Sequence, residues 1–271
     1  MQKILTPENR LPHQPFKTQR SYDMQCRLKK QNKDDITIQS TMVMAPVARY
    51  KQDYVLLIDR KNIILNNSND LTVLQELALA CSACLFPMHI MVSEKGEFLS
   101  IYNHDTIVER WEALKHKLPE TYDGKVAYQY LNKNNTTIHN KELLYHAIKD
   151  DFFFYCYFKP LYSSYTNELD TIEEWDTADF LDIETPVKMD QKIFYDNTVS
   201  SIRVNATNMT AADTENTETI SFQYTLHPQY NTITAITGSI IREQDQINIT
   251  ITATSETLIQ HSIEVLTDRS N

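Results

Sequence analysis

Residues Leu85 to Asn103 read LFPMHIMVSEKGEFLSIYN. Two short apolar runs, Met88–Val92 and Phe98–Ile101, flank a polar turn that contains Gly96, and a helical pattern starts directly behind them. A hairpin of this kind followed by a helix constrains the fold class strongly, because it brings strands and helices into one chain without a parallel crossover. It supplies no catalytic chemistry.

The same reading extends outward. Residues 1–22 hold Pro7, Pro12 and Pro15 among polar residues without a period, and are expected to form a flexible arm. Ile36, Ile38, Met42 and Met44 share one parity, and Tyr50, Tyr54, Leu56 and Ile58 continue the alternation of strands. Helices are expected over 71–85, 106–118, 124–132 and 141–157. Apolar residues recur there at three- and four-residue steps, with Thr72/Gln75 and Thr106/Glu109 at capping-box spacing, and Asp123 and Asn140 as further caps. Strands return at the end: Ile220, Phe222, Tyr224 and Leu226 alternate with polar neighbours, as do Ile247, Ile249, Ile251 and Ala253. Strands, helices and strands in that order predict an α+β fold, a curved antiparallel sheet built from both chain ends with the central helices packed on it. The expected organisation is an arm (1–22), a mixed region (23–165), an acidic connecting segment (166–186) and an antiparallel β region (187–271) that shares one sheet and one domain with 23–165.

Composition removes several function classes. The net charge of −10 is split unevenly: residues 1–160 carry 21 Lys/Arg against 18 Asp/Glu, and the remainder 5 against 18. The acidic half repels phosphate backbones, and no basic cluster with interleaved aromatics offsets it, so no nucleic-acid partner is expected. Only Gly96, Gly124 and Gly238 serve the whole chain, and their separation excludes the Gly-rich phosphate cradles of nucleotide enzymes. No apolar run reaches the roughly 18 residues of a membrane span. The first residues lack the apolar stretch of a signal peptide, and a cytoplasmic location is the expectation.

Candidate chemistry is sparse. Cys81 and Cys84 have CxxC spacing but fall late in an apolar helix, where the dipole does not favour a thiolate; with Cys26 and Cys156 isolated, all four are read as structural. The eight histidines form no ligand pair, and His104-Asp105 is read as the end of a strand and a helix cap. No cofactor, metal or catalytic residue is expected. The aromatic run Phe152–Phe158 is read as core with the option of an apolar ligand cavity. The eight acids Glu168, Asp170, Glu173, Glu174, Asp176, Asp179, Asp182 and Glu184 occur without a basic residue. Around Trp175 they form a strip suited to a basic protein partner, with Glu173, Glu174, Trp175 and Asp176 as the partner-binding residues.

Leu85-Phe86-Pro87, Val92, Gly96, Ile101, Asn103, Ile107 and Arg110-Trp111, then Tyr122-Asp123-Gly124 and Phe158-Lys159-Pro160-Leu161-Tyr162, resemble a pattern in a family of uncharacterised bacterial proteins. The resemblance covers about 80 residues. It implies a bacterial source and a recurring module, and carries over no activity or site. The C-terminal strands are similar in architecture to curved-sheet lipoprotein carriers. The leading expectation is a non-enzymatic binding or adaptor protein that engages a protein partner or an apolar small ligand. The alternatives are a hydrolase assembled from distant acids and histidines, and a lipid-carrier-like curved sheet.

Overall fold

The computed structural model describes residues 9–13, 18–31, 33–66, 71–176, 186–196, 201–209, 219–258 and 264–266. The N-terminal strands β1 (Thr18–Lys29), β2 (Ile36–Tyr50) and β3 (Asp53–Leu65) lead to helix α1 (Val73–Ser82) and to the hairpin β4 (Met88–Val92) and β5 (Phe98–Ile101). Helices α2 (His104–Lys115), α3 (Lys125–His139), α4 (Lys141–Lys149) and α5 (Phe152–Tyr157) follow. The chain then returns to strands: β6 (Asp170–Trp175), β7 (Val187–Asp196), β8 (Ser201–Asn208), β9 (Thr219–Leu226), β10 (Ile233–Arg242), β11 (Asp245–Leu258) and β12 (Glu264–Leu266).

These strands form one sheet in the order β5-β4-β3-β2-β1-β11-β10-β9-β8-β7-β6, with antiparallel neighbours throughout. The two ends of the chain meet at its centre, where β1 pairs with β11 from Thr18↔Leu258 to Lys29↔Gln246. β12 adds to β2 in parallel at Ala48–Tyr50, past Met44, where the pairing of β2 with β1 ends. The α+β architecture with a sheet from both chain ends is therefore observed.

Period-two alternation sets the register. Ile220, Phe222, Tyr224 and Leu226 are all buried, as are Tyr22, Met24 and Cys26 across the sheet. A slip of one residue would turn these side chains to solvent. Gly238 faces Phe222 on the neighbouring strand, where a Cβ would lie 2.2 Å from the ring; the missing side chain is what lets the ring lie flat on the sheet.

The helices depart from the expected bounds, each for a local reason. The helix expected over 141–157 is two helices, because Asp151 breaks it: in extended conformation it accepts hydrogen bonds from Phe153 N and Phe154 N and so caps a new helix. The helix expected over 124–132 runs on to His139. Asn134 and Thr136 bond back to the Tyr130 and Asn132 carbonyls, and burial of Ile138 outweighs their weak propensity. The helix expected at 106 begins at His104. Thr106 and Glu109 do not cap it, and Asn103 instead spends its amide on β4, accepting from His89 N at 2.8 Å. That helix ends at Lys115, before the 3₁₀ turn Leu118–Glu120, and α1 stops at Ser82. Its Thr72/Gln75 capping box is present, as is the Asn140 cap on α4. The N-cap of α3 is Gly124, with Asp123 bonding only the Gly124 N–H.

β1 begins at Thr18, within the expected arm, and Leu11 is fully buried while its N–H bonds the Ser163 carbonyl. Residues 1–8 and 14–17 lie outside the described residues. Within the acidic connecting segment, Asp170–Trp175 is a strand paired with β7, while Asp179, Asp182 and Glu184 lie outside the described residues.

The helices do not blanket the sheet. α1 to α4 pack on one another near the β5 end, with α4 against β5, while α5 reaches β10 at the centre. Phe153, Phe154, Tyr155 and Cys156 make α5 apolar on almost every side, and all four are core. Tyrosine hydroxyls hold this short helix and the loop behind it in place. Tyr224 donates to the Cys156 carbonyl at 2.9 Å, Tyr22 to the Ile233 carbonyl at 2.8 Å, and Tyr162 to the Asn231 carbonyl at 2.9 Å. With its own donor spent, Tyr22 receives the hydrogen of Tyr157 at 2.9 Å.

Candidate functional site

β5 and β6 are the two ends of the strand order, yet Phe98 and Leu99 on β5 and Glu174 and Trp175 on β6 line one cavity of about 210 Å³. The sheet curls until its edges face each other, and the helices and the loop after α5 fill the gap. We refer to this gap as the seam.

Helix α4 spans it. Tyr145 stacks on Phe98 with ring centres 4.9 Å apart and donates to the Phe98 carbonyl at 3.4 Å. One turn later Lys149 lies 5.7 Å from the Tyr145 ring centre and forms an ion pair with Asp176, the residue after β6. The acidic strand thus meets basic groups of its own chain. Register places Lys192 opposite Asp170 and Lys188 opposite Glu174, an arrangement in which opposite charges offset local repulsion.

The innermost charged group of the cavity is Lys159, supplied by the loop after α5. Its side chain follows the aromatic run into the core and is 6% exposed. The ammonium Nζ sits 3.6 Å from the Tyr155 ring centre and 5.2 Å from that of Trp175, and donates to the Asp176 carbonyl at 3.3 Å. No ion pair within 4 Å joins it to a carboxylate among the described residues. Burial strips water from the charged form and Lys149 repels it, while Cys156, Asp176 and Glu97 offset this only in part, so the amine pKa is pushed down to about 7. Beside it the indole N–H of Trp175 is buried without a hydrogen-bond partner. Aromatic rings, those of Phe98, Tyr145, Phe158 and Trp175 among them, line the cavity together with the charged Glu97, Lys149, Glu174 and Asp176, which suits it to a small molecule with an apolar body and an acceptor group.

The chain matches no protein-family model and no curated protein. Among solved structures, a chain described as "Lipid-protein interactions in lipovitellin" aligns with 95% of this chain at a TM-score of 0.45 and 11% identity. The alignment spans 26% of that chain, and the likeness is too distant to bear on fold or ligand.

Of the four residues read as partner-binding, Glu174, Trp175 and Asp176 line the cavity, and Glu173 precedes them on β6. Trp175 is 1% exposed and packs against Phe222 and Tyr224, so its ring faces the core and not the protein surface. Lys159, Glu97 and the α4 pair Tyr145 and Lys149 carry no signal as a set, because they come from three separate segments of the chain. The one sequence cue was a lysine placed directly after seven residues of almost unbroken aromatic character.

Other features do not compete with this site. A second cavity, beside His13, Arg20 and Thr232, measures about 30 Å³, too small for an organic ligand. A third, of about 440 Å³, is more open and is lined mainly by uncharged polar residues such as Gln25, Thr41, Thr250 and Thr252. All four cysteines are buried and unpaired, and burial pushes the Cys81 and Cys84 thiols up to about 11, as the structural reading expects. His104 bonds the Ile138 carbonyl through Nε2 at 2.9 Å, tying α2 to α3. Among the described residues no three His, Cys, Asp or Glu side chains gather as a metal site, and no helix is long and apolar enough to cross a membrane.

Proposed function

We propose that this chain is a binding protein that takes a small, largely apolar ligand with a hydrogen-bond-accepting head into the seam cavity. The observation that carries the reading is Lys159 Nζ, buried against the Tyr155 and Trp175 rings in a cavity whose wall combines aromatic rings with the charged Glu97, Lys149, Glu174 and Asp176. Burying a lysine without a carboxylate costs several kcal/mol that a methionine of similar length would avoid, so a structural role alone does not account for it. A cavity of roughly 150 Å³ holds benzene. The seam cavity therefore fits a ring with a short substituent or a medium-length acyl chain, the short end of the lipid-carrier alternative. Binding needs no catalytic group.

Calorimetric titration with octanoate, octanol and octylamine tests this. Octanoate is expected to bind most tightly and octylamine not at all, since its charge meets Lys159 and its head accepts no hydrogen bond. Lys159→Met, which removes the amine and keeps a side chain of similar length, should weaken octanoate binding at least about 10-fold. Equal affinity for octanoate and octylamine, or no heat with any of the three, would remove the reading.

A further inference from the structure

Within that same cavity, and resting on the binding reading, we propose that Lys159 is a covalent capture group that forms a reversible imine with an aldehyde or ketone ligand. The geometry meets the requirements of such a lysine. The amine belongs to a buried side chain that lines the cavity, it has one backbone acceptor at 3.3 Å, and no carboxylate within 4 Å among the described residues holds it as ammonium. The Tyr155 ring at 3.6 Å and the Trp175 ring beyond it confine its side chain, so the nitrogen is presented in a narrow range of directions. The centre of the Trp175 ring lies 5.2 Å from the nitrogen, and its indole N–H is buried without a hydrogen-bond partner.

The chemistry balances without a further reagent. The neutral amine adds its electron pair to the carbonyl carbon, the C=O π pair moves to oxygen, and one proton passes from nitrogen to oxygen to give a carbinolamine. The second nitrogen proton and the hydroxyl leave as water while the nitrogen pair forms C=N. Nothing is oxidised or reduced, and hydrolysis reverses the sequence. The charged and titratable groups that face the amine are Glu97 beside β5, Tyr145 and Lys149 on α4, Tyr155 and Cys156 on α5, and Glu174 and Asp176 at the end of β6. Glu97 and Asp176 line the same cavity and act on the amine through their charge. Burial first, and the charge of Lys149 after it, oppose the ammonium form and favour the amine state that the reaction needs. A lysine near its ordinary value of roughly 10.4 is neutral in about one molecule in 2,500 at pH 7, whereas for Lys159, with its pKa pushed down to about 7, the neutral amine is a major species there.

Incubation of the full chain with octanal and cyanoborohydride at pH 7, followed by peptide mass spectrometry, reads the result directly. One octyl group on Lys159 is expected, appearing at least about 10-fold faster than on any other lysine. The rate should rise between pH 6 and 8 and then level, while labelling of exposed lysines keeps rising through pH 10. Lys159→Met, which removes a buried charge and should fold, is expected to leave only slow, scattered labelling, and its circular dichroism checks the fold. Octanoate should protect Lys159 in the wild type. Octanoate binding without preferential Lys159 labelling would overturn the imine and leave the cavity reading standing. Absence of both would overturn both. Labelling spread evenly over the lysines, or a Lys159 rate that tracks the exposed lysines with pH, would also overturn the imine.

Discussion

Lys159 makes the stability of this protein depend on pH in a direction opposite to that of a salt-bridged lysine. Its pKa in the folded chain is about 7, below the value near 10.4 of an unfolded chain, so between these limits the unfolded state binds more protons. Stability contributed by this residue therefore rises as pH rises from 7 toward 10, and below pH 7 the cost of burying the ammonium is present in full. Urea unfolding of the wild type and of Lys159→Met at pH 7 and pH 9.5 checks this. The variant should be the more stable at pH 7, and the wild type should recover about 2–4 kcal/mol relative to it by pH 9.5. A difference that does not change with pH would mean that Lys159 stays charged, with water or a carboxylate in reach. Trp111 stands at the other extreme of legibility. It lies four residues after Ile107 and three before Leu114, and it is fully buried, as that spacing requires.

Among the elements, α5 depends most on one residue. Asp151 caps its N-terminus through Phe153 N and Phe154 N, and its other carboxylate oxygen meets Arg60 of β3 at 2.7 Å in a half-buried ion pair. One side chain thus starts the helix and fastens it to the sheet. Replacing Asp151 by Ala should cost about 2–4 kcal/mol, since a cap is lost and a half-buried guanidinium loses its partner. Asp151→Asn keeps an acceptor for the cap and should recover about 1 kcal/mol of that loss. Thermal or urea unfolding of the two variants separates the contributions, and equal losses in both would assign the whole effect to the ion pair. The split of 141–157 into α4 and α5 belongs to the same residue. Periodicity runs through Asp150-Asp151 unbroken, and only the demand of Arg60 and of the new helix's amides for a carboxylate shows that the chain turns there.

At the scale of the whole molecule, the pairing of β1 with β11 makes the two halves of the chain one sheet, and the buried apolar residues of both form one connected core. The two tryptophans report on the two parts: Trp111 sits in α2 among the N-terminal helices and Trp175 on β6 at the far end of the strand order. In urea, the fluorescence of Trp111→Phe, that of Trp175→Phe and far-ultraviolet circular dichroism should follow single transitions, with the two probes in each variant coinciding. Separate midpoints within one variant would show that the halves unfold independently. What the sequence determined by itself is local in origin: strand faces from period-two alternation, helix faces from three- and four-residue steps, caps at Thr72 and Asn140, and buried thiols within an apolar helix. These follow from neighbours a few positions apart, whose geometry is the same in any fold. The bend at Asp151, the run of α3 to His139 and the inward ring of Trp175 depend on what packs against them. The seam cavity is the clearest such case. It draws Phe98, Tyr145, Lys159 and Trp175 from three elements and a loop, and exists only because a sheet of this length twists until its two edge strands border one gap.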